Sequence, residues 1–553
     1  MNEWDVSRRR FLKGVGGFSF APLCTPIDLM AWLQANRQFT GENVDEAHRL
    51  LTDPEAILNT VPRERHPNRY DTIIVGAGIA GLAAGYQLRS TNSLILEREA
   101  DPGGVSRLES WNGLEYAIGA AYIIDPDPDS EDPREQRNFN LLRELGLREK
   151  GEDLTRDRTK LRRLGGDPNH AVFSRRRVVP EAEIYSARDV RFFEAVLDSD
   201  NYPAVPPEDA DLVAALDPVS FRDFLTKPAL QRKFYGRTVG PISALGWEAI
   251  EYYFWGAFGT TASETSAYHG LNFFAAEFGD ILIYPGGNGY ITRRLAERIA
   301  QDKPQMLRTS SCVLRIERET APAGGFRVLT HEAGRVHEFG ARSVIFASPL
   351  FLAPRIIPSV PAEQRAAIGA LNYRSYAVAN VLLRRSIDRI FKHPAFRRGY
   401  ELTPVHGVAI AAQDTRAFSG RKVFSDAVVA DFPIWRNLDR AVLTVYRPYP
   451  YDEGRGDLLS VNYSDMEADV RRSVLDMFGP HGLTAADIED VRISRWGHPM
   501  IVARPGQLAD GAMARASQSQ PGLYFAHTDV HGAPAFENAM AAAGDAVDAV
   551  RAG

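Results

Sequence analysis

Three glycines and one glutamate stand at the spacing that binds a dinucleotide. Gly76, Gly78 and Gly81 follow a run of β-branched residues, and Glu97 comes 21 positions after Gly76. Such glycines allow a tight turn, a close backbone approach to a pyrophosphate and close packing of helix on strand. The helix N-terminus favours the diphosphate, and the carboxylate binds ribose hydroxyls. The pattern predicts a βαβ nucleotide site; a glycine-rich turn in another α/β protein is the alternative.

Aromatic side chains form a second pattern, because two dense groups of rings in the sequence could each line a pocket. One candidate wall contains Trp247, Tyr252, Tyr253, Phe254, Trp255, Phe258, Tyr268, Phe273 and Phe274. A second contains Trp435, Tyr446, Tyr449 and Tyr451. The alternatives are helix core for the first set and a surface loop for the second.

The bulk properties exclude several classes. At 553 residues the chain is too long for one ordinary core, so several domains are expected. Its net charge of −6 argues against a nucleic-acid binder. Without an apolar run of 18 residues, we expect no integral membrane span. The two cysteines, Cys24 and Cys312, cannot build a disulfide framework or a cysteine metal site, and no metal site is predicted.

The N-terminal segment carries an export pattern. Ser7, Arg8 and Arg9 precede Arg10-Phe-Leu-Lys and a weakly apolar, glycine-rich stretch. This order matches the bacterial twin-arginine signal, although a basic helix start is the alternative. The twin-arginine pathway exports folded proteins, which suits a protein that takes up its cofactor in the cytoplasm. The sequence therefore predicts recognition by the twin-arginine export machinery and a periplasmic location.

Hydrophobic periodicity places the nucleotide motif in an alternating α/β chain. Strands are expected at 72–75, 94–96, 312–316, 326–330, 335–339, 344–347, 376–384, 441–446, 488–496 and 523–526. Helices are expected at 43–51, 81–88, 291–300, 464–478 and 536–550, with helical character across 212–278 and 351–370. The predicted organisation is a signal region (1–40), a leader segment (41–68), a nucleotide domain (69–125, 281–350 and 490–553) and a substrate domain (126–280 and 351–489).

Further motifs resemble those of the flavin-containing amine oxidase superfamily, which includes monoamine and polyamine oxidases, phytoene desaturases and protoporphyrinogen oxidase. Gly103-Gly104-Val-Ser-Arg107 resembles the extension of that family's FAD fingerprint. Further matches lie at 114–123, 284–287, 312–316, 525–529 and 536–544. Because several matches occur in the right order between residues 71 and 545, the likeness covers most of the chain. Residues 284–294, 380–384 and 495–498 are most similar to bacterial spermidine dehydrogenases.

The resemblance implies an α/β fold in which an FAD-binding, Rossmann-like domain of the glutathione-reductase type is interleaved with an α+β substrate domain. It implies FAD as cofactor. The residues that it assigns to FAD binding are Gly76, Gly78, Gly81, Glu97, Gly104, Arg107, Ala120, Tyr122, Val313, Asp529 and Asn538.

The resemblance also points to residues for catalysis. His498 and Trp496 precede the last FAD strand, in a region that faces the flavin in this superfamily, and Tyr376 lies on a strand of the substrate domain. Many amine oxidases keep a lysine near flavin N5, but the stretch 373–380 contains no lysine. This departure favours a dehydrogenase with an acceptor other than oxygen.

The expected reaction is oxidation of the C–N bond of an amine or polyamine by hydride transfer to flavin N5. Because the chain has a single GxGxxG motif, we expect electrons to leave to oxygen, a quinone or a periplasmic carrier. Two alternatives remain open: a desaturase or oxidase of an apolar substrate, and an exported flavin-binding protein without turnover.

Overall fold

Two large sheets organise the chain in the computed structural model. It describes residues 38–149, 162–164, 170–174, 177–180, 183–276, 281–319, 324–392, 400–405, 425–429, 432 and 438–553. The twin-arginine pattern, Cys24 and Trp435 lie outside these residues.

The nucleotide sheet, as we name the first sheet, is built from three separate stretches of the chain. Its order is Leu307–Arg308, Ser93–Leu96, Arg63–Val75, Arg335–Phe346, Phe326–Glu332 and Cys312–Arg318, with Leu523–Phe525 paired to Arg335–Phe346. Arg63–Val75 pairs in parallel with both of its neighbours, as expected when helices connect the strands. Parallel strands are buried on both faces, which explains the apolar run Ile73–Val75.

Helices cover one face of the nucleotide sheet. Ile79–Gln87, Asn288–Asp302, Phe536–Ala552 and Pro133–Glu144 bury their apolar sides there in one cluster. Ile79–Gln87 is rich in alanine and glycine, and this lack of bulk permits close packing: a Cβ on Gly85 would lie 2.4 Å from Cδ1 of Ile95. The helix over the glycine loop is therefore held tightly against the sheet.

The substrate sheet, as we name the second sheet, is mainly antiparallel. Its order is Thr40–Gly41, Ile488–Ile501, Tyr373–Leu383, Ala441–Tyr449, Asp426–Val429, Tyr400–Val405, His170–Ser174 and Arg177–Pro180. Every residue of Tyr373–Leu383 is buried because both faces are covered. Ala377 and Val381 pack in the cluster that contains helix Tyr463–Phe478, whereas Tyr376 and Val378 face the opposite way, toward the hairpin of Leu108–Trp111 and Leu114–Ala117.

A helical lobe adjoins the substrate sheet. Its helices are Ala187–Leu197, Ala210–Leu216, Phe221–Leu225, Pro228–Tyr235, Ala244–Phe258 and Ala267–Ala276. Phe221, Phe254 and Phe274 form an aromatic core between them. A small sheet of Tyr122–Ile124, Ile281–Ile283 and Arg162–Leu164 connects this lobe to the rest of the chain.

The remaining helices are short or lie at the periphery: Val44–Thr52, Pro54–Thr60, Ala353–Ile356, Ala362–Gly369, Ile387–Ile390, Gly454–Ser460 and Ala512–Ala516. No helix in the described part of the chain is both long enough and apolar enough to cross a membrane.

The structure differs from the sequence-based expectations in three places. Residues 41–68 were expected as a leader segment, yet Thr40–Gly41 pairs with the substrate sheet, helix Val44–Thr52 packs on the nucleotide domain, and Arg63 already begins a strand. The strands expected at 335–339 and 344–347 form one strand, Arg335–Phe346. The helical region 351–370 is broken where prolines stand, including Pro358 and Pro361.

Candidate active site

A cavity of about 1360 Å³ is lined by residues of both large sheets. One end is formed by the glycine loop after Arg63–Val75 and by the strands beside it. The other end is formed by the substrate sheet and by helix Ala244–Phe258. The N-terminal helix Val44–Thr52 contributes a further wall through Ala47, His48, Leu51 and Thr52. The glycine loop and the substrate sheet therefore border the same cavity.

The glycine loop has the geometry that a diphosphate requires. Gly76 has φ +101°, and a Cβ there would lie 2.7 Å from the carbonyl oxygen of Ala347. A Cβ on Gly81 would lie 1.9 Å from the carbonyl oxygen of Gly76, so only glycine lets the helix pack at this distance. Gly78 lines the cavity, and a Cβ there would meet no protein atom within 4 Å. The backbone at Gly78 is thus open to a ligand.

Glu97 is a buried acid on the wall of the same cavity. Its two carboxylate oxygens accept hydrogen bonds from the N–H groups of Ala77, at 2.6 Å, and Glu99, at 2.8 Å. Burial raises the pKa of Glu97, although both backbone donors act in the opposite direction. These two bonds orient the carboxylate at the end of strand Ser93–Leu96, where a ribose would lie.

A second glycine turn meets the first. Gly103 and Gly104 both have positive φ, and a Cβ on Gly104 would lie 3.2 Å from Cα of Gly78. Arg107 lines the cavity, donates to the carbonyl of Gly104 at 3.0 Å and also donates to the carbonyl of Gly41. Its guanidinium lies 5.3 Å from the ring of Trp496. Arg107 therefore connects the glycine turn, the N-terminal segment and the substrate sheet.

Ala120, Tyr122 and Val313 also line the cavity. Beside them, Asn288 donates from Nδ2 to the carbonyl of Tyr122 at 2.8 Å. The Oδ1 atom of Asn288 is buried and has no hydrogen-bond partner among the described residues. An acceptor left in this way on a cavity wall fits a bound ligand with hydrogen-bond donors.

Three of the residues expected to bind FAD do not line the cavity: Gly81, which packs against the glycine loop, Asp529 and Asn538. Asp529 accepts hydrogen bonds from the N–H of Leu350 at 2.9 Å and from the hydroxyl of Tyr373 at 2.7 Å, and His527 Nδ1 lies 3.0 Å from its other oxygen. Burial would raise the pKa of Asp529, but these partners bring it below its usual value. The carboxylate thus lies behind the wall that His527 and Thr528 form.

Asn538 is also set back, with its Nδ2 buried and without a partner among the described residues. Its neighbour Glu537 lines the cavity and accepts a hydrogen bond from the N–H of Ile124 at 2.6 Å. Burial raises the pKa of Glu537 to about 7. A protonated Glu537 would be a hydrogen-bond donor at the start of helix Phe536–Ala552.

The three residues proposed for catalysis lie together at the substrate end. Trp496 donates from its indole N–H to the carbonyl of Ile118 at 2.7 Å, which fixes the ring. Tyr376 is opposite Trp496 in the register of the substrate sheet. The ring of His498 lies 4.5 Å from that of Phe351, and burial, followed by the charge of Arg455, lowers the pKa of His498 to about 3. The imidazole is therefore neutral at physiological pH.

Both candidate aromatic walls are divided between cavity and core. Tyr252, Tyr253 and Phe273 line the cavity, whereas Trp247, Phe254, Phe258, Tyr268 and Phe274 pack in the helical lobe. Trp255 is buried against Tyr252. From the second set, Tyr446 lines the cavity, while Tyr449 and Tyr451 pack in the cluster of helix Tyr463–Phe478. Periodicity alone does not show which side of a helix or strand faces the substrate.

Asp426 is a cavity residue that the sequence analysis did not identify. It lines the substrate end and is buried in strand Asp426–Val429. The sequence offers one signal for this residue: an acid directly before the apolar run Ala427-Val-Val, which is typical of a buried strand. A single aspartate in a chain of 553 residues belongs to no motif, so the sequence alone does not show that it lines a cavity.

Comparison with known proteins agrees with this geometry. The sequence matches the flavin containing amine oxidoreductase family over residues 79–551. It is 23% identical over 526 residues to the oxidoreductase PigB of Serratia sp., covering 88% of this chain and 75% of that relative.

Solved structures are similar in fold. A cofactor-binding variant of putrescine oxidase matches with a TM-score of 0.60 and 17% identity, covering 89% of this chain and all of the other. Cyclohexylamine oxidase from Brevibacterium oxydans matches with a TM-score of 0.58 and 16% identity, covering 87% of this chain and 99% of the other. The open backbone at Gly78, the oriented Glu97 and the unpartnered oxygen of Asn288 all suit FAD. The chain belongs to the flavin-containing amine oxidoreductase family and is an FAD-dependent oxidoreductase.

Proposed function

We propose that this enzyme oxidises the C–N bond of a cationic amine bound at the substrate end of the cavity. The observation that supports this substrate class is Asp426, a buried acid among tyrosines. A carboxylate on a cavity wall attracts a cation more strongly where water is partly excluded. An ammonium group carries a positive charge and hydrogen-bond donors, both of which bind a carboxylate.

The surroundings of Asp426 hold its carboxylate in place on the cavity wall. Asp426 stands opposite Tyr446 in the sheet register, and both side chains line the cavity. Ser425 donates a hydrogen bond to Oδ1 of Asp426 at 2.5 Å, which orients the carboxylate. On helix Ala244–Phe258, a Cβ on Gly256 would lie only 3.0 Å from that oxygen. Glycine at this position therefore lets the helix pack closely against the carboxylate.

Tyrosine rings complete a site for a cation. Tyr376 and Tyr446 pack edge to face with centroids 6.3 Å apart, and Tyr252 and Tyr253 lie on the helix that carries Gly256. Ring faces attract ammonium groups by roughly 0.5–2 kcal/mol, more when water is excluded. The same rings exclude water from the reacting carbon.

The bound ammonium must lose its proton to water before the hydride leaves, since a free alkylamine has a pKa of about 10. His498 is a weak base, because burial lowers its pKa to about 3. We infer that a neutral ring nitrogen of His498 forms a hydrogen bond with the substrate or with another residue of the cavity wall. Bound FAD would supply the two-electron acceptor for the hydride of the carbon next to nitrogen, and water would hydrolyse the imine product.

Replacing Asp426 tests this proposal. Asp426→Asn keeps the shape and removes the charge, so we expect the apparent Kd for an alkylamine, measured by flavin reduction, to rise at least about tenfold. Asp426→Glu should recover part of this loss, and the exposed Asp476→Asn should change nothing. If Asp426→Asn binds amines like the wild type, Asp426 is not the anchor.

The electron acceptor is a separate proposal. Strand Tyr373–Leu383 contains no lysine, which favours a dehydrogenase that passes electrons to a quinone or a periplasmic carrier. Turnover with an amine should be faster with a soluble quinone than with air-saturated buffer. Equal or faster turnover with oxygen alone would make the enzyme an oxidase.

We further propose export by the twin-arginine machinery, on the pattern Ser7-Arg8-Arg9-Arg10-Phe-Leu-Lys. Arg8→Lys with Arg9→Lys should retain the protein, with FAD bound, in the cytoplasmic fraction of a bacterial host. Arg10→Lys is the control and should leave export unchanged. Equal export of the double variant would rule this route out.

A further inference from the structure

A cluster of two histidines and a glutamate lies outside the catalytic cavity, on the nucleotide sheet. Glu64 and His66 stand near the start of strand Arg63–Val75, and His337 stands near the start of the neighbouring strand Arg335–Phe346. Glu64 is directly opposite His337 in the parallel register. The ladder is irregular beyond Glu338, which allows His66 to turn toward the same point.

Three possible ligand atoms converge there. Nε2 of His66 lies 3.0 Å from Nδ1 of His337, and Oε2 of Glu64 lies 3.9 Å from the same Nδ1. All three ligand atoms lie within 4.8 Å of one another. Two imidazole nitrogens and one carboxylate oxygen are a ligand set typical of zinc and related divalent transition metals, whereas Mg²⁺ and Ca²⁺ prefer oxygen.

The imidazoles are held in place before any ion binds. The ring of His66 stacks on Phe339 with centroids 4.3 Å apart and planes 12° apart, and His337 is buried. Glu64 is half-exposed, at 52%, and can therefore move toward an ion.

The charges around the cluster do not oppose a cation strongly. The positive charge of Arg308 acts on His66, but its guanidinium forms a salt bridge of 2.6 Å with Glu332. Arg65 pairs with Glu338 at 3.4 Å on the same two strands. Each cation thus has its own carboxylate, and Glu64 supplies an additional negative charge.

We propose that Glu64, His66 and His337 bind one divalent transition-metal ion of the zinc class, with water in the fourth position. Zn–N distances of about 2.0–2.1 Å in a tetrahedron require the two nitrogens to be ~3.3 Å apart. This is a small outward movement from the 3.0 Å observed. The ion would replace the hydrogen bond between the two rings and join the two central strands of the nucleotide sheet.

The test uses tag-free, FAD-loaded enzyme that has been treated with a chelator and then titrated with Zn²⁺ against a chromophoric competitor. The wild type should bind one equivalent in a site that includes all three residues. His66→Ala should weaken that site at least about tenfold, and Glu64→Gln should weaken it less, because one of three protein ligands is lost in each case. Co²⁺ in the wild type should give the intense visible bands of a tetrahedral site.

His331→Ala is the matched control, since His331 lies on the adjacent strand Phe326–Glu332 and is not part of the cluster. It should leave the affinity unchanged. Because His337 is buried, the flavin content and melting temperature of His337→Ala must first show that this variant folds. If His337→Ala does not fold, His66→Ala and Glu64→Gln decide the question. Equal zinc affinity in the wild type and in the His66→Ala variant, or no zinc bound by the wild type, would overturn the proposal, whatever substrate the enzyme oxidises.

Discussion

The hydroxyl of Tyr373 donates a hydrogen bond of 2.7 Å to Oδ2 of Asp529, which joins the substrate sheet to the last turn before helix Phe536–Ala552. The same oxygen accepts from the N–H of Leu350. Asp529 is 1% exposed, so its charge depends on these protein donors and on His527. The pair therefore holds the two domains together behind the cavity wall.

Tyr373→Phe should destabilise the protein by roughly 1–3 kcal/mol, because a buried carboxylate loses a donor that water cannot replace. Chemical unfolding of the FAD-loaded enzyme measures this difference. Tyr451→Phe is the control, since Tyr451 donates to Asp457 in a more exposed pair at 2.7 Å. A similar loss of unfolding free energy in the two variants would mean that the burial of Asp529 does not strengthen its hydrogen bond with Tyr373.

Two glycines of the nucleotide loop should respond differently to the same methyl group. Gly81→Ala places a Cβ 1.9 Å from a backbone oxygen, so we expect little folded protein. Gly78→Ala places it in open cavity space, so the protein should fold but bind FAD at least about tenfold more weakly, because the methyl blocks backbone approach to the pyrophosphate. Circular dichroism shows whether each variant folds, and titration of the apoprotein measures its affinity for FAD. An unchanged FAD affinity in Gly78→Ala would mean that the diphosphate binds elsewhere.

Glu537 should make stability depend on pH. Burial raises its pKa from 4.5 to about 7, so the folded chain holds a proton that the unfolded chain has lost between these values. Its contribution to stability is full below pH 4.5 and is lost as the pH rises through about 7. Glu537→Gln should remove this dependence. The difference in unfolding free energy between the wild type and this variant should therefore change by up to about 3 kcal/mol across this pH window. Parallel stability curves would contradict the raised pKa.

Helix Val44–Thr52 should slow the release of FAD, because Ala47 and Leu51 line the cavity while Leu50 anchors the helix in the core. Leu50→Ala costs roughly 2–5 kcal/mol of packing. We expect the release of FAD, followed by its fluorescence after dilution, to accelerate at least about tenfold as the helix loosens. The exposed Leu459→Ala is the control and should release FAD like the wild type. An unchanged rate in Leu50→Ala would mean that the helix does not retain the cofactor.

The sequence predicted the family, the cofactor and most strands, because these depend on local patterns. The glycine loop and Glu97 are recognisable within about 20 residues of one another, and the apolar runs that form the nucleotide sheet are continuous. The residues 41–68 were misassigned because they are polar along the sequence. Leu50, Leu51 and Leu58 are nevertheless buried by strands that come more than 250 positions later.

The substrate end was less predictable, because it is assembled by long-range pairing. Asp426 reaches Tyr446 through a sheet register and Gly256 through packing against a helix far away in the sequence. Tyr376 and Trp496 were identified, but the acid between the tyrosines was not, because one aspartate carries no local pattern. Asp529 stays a prediction as an FAD ligand, and its carboxylate accepts hydrogen bonds from Leu350 and Tyr373 in the structure.

Anaerobic stopped-flow reduction of the flavin tests the central claim most directly. The FAD-loaded enzyme should lose its yellow absorbance with alkyl diamines or polyamines and keep it with polyenes and porphyrinogens. With the same amines, Asp426→Asn should require at least about tenfold more substrate for half-maximal rate. Bleaching by an apolar substrate and by no amine, or bleaching by none of these compounds, would contradict the account.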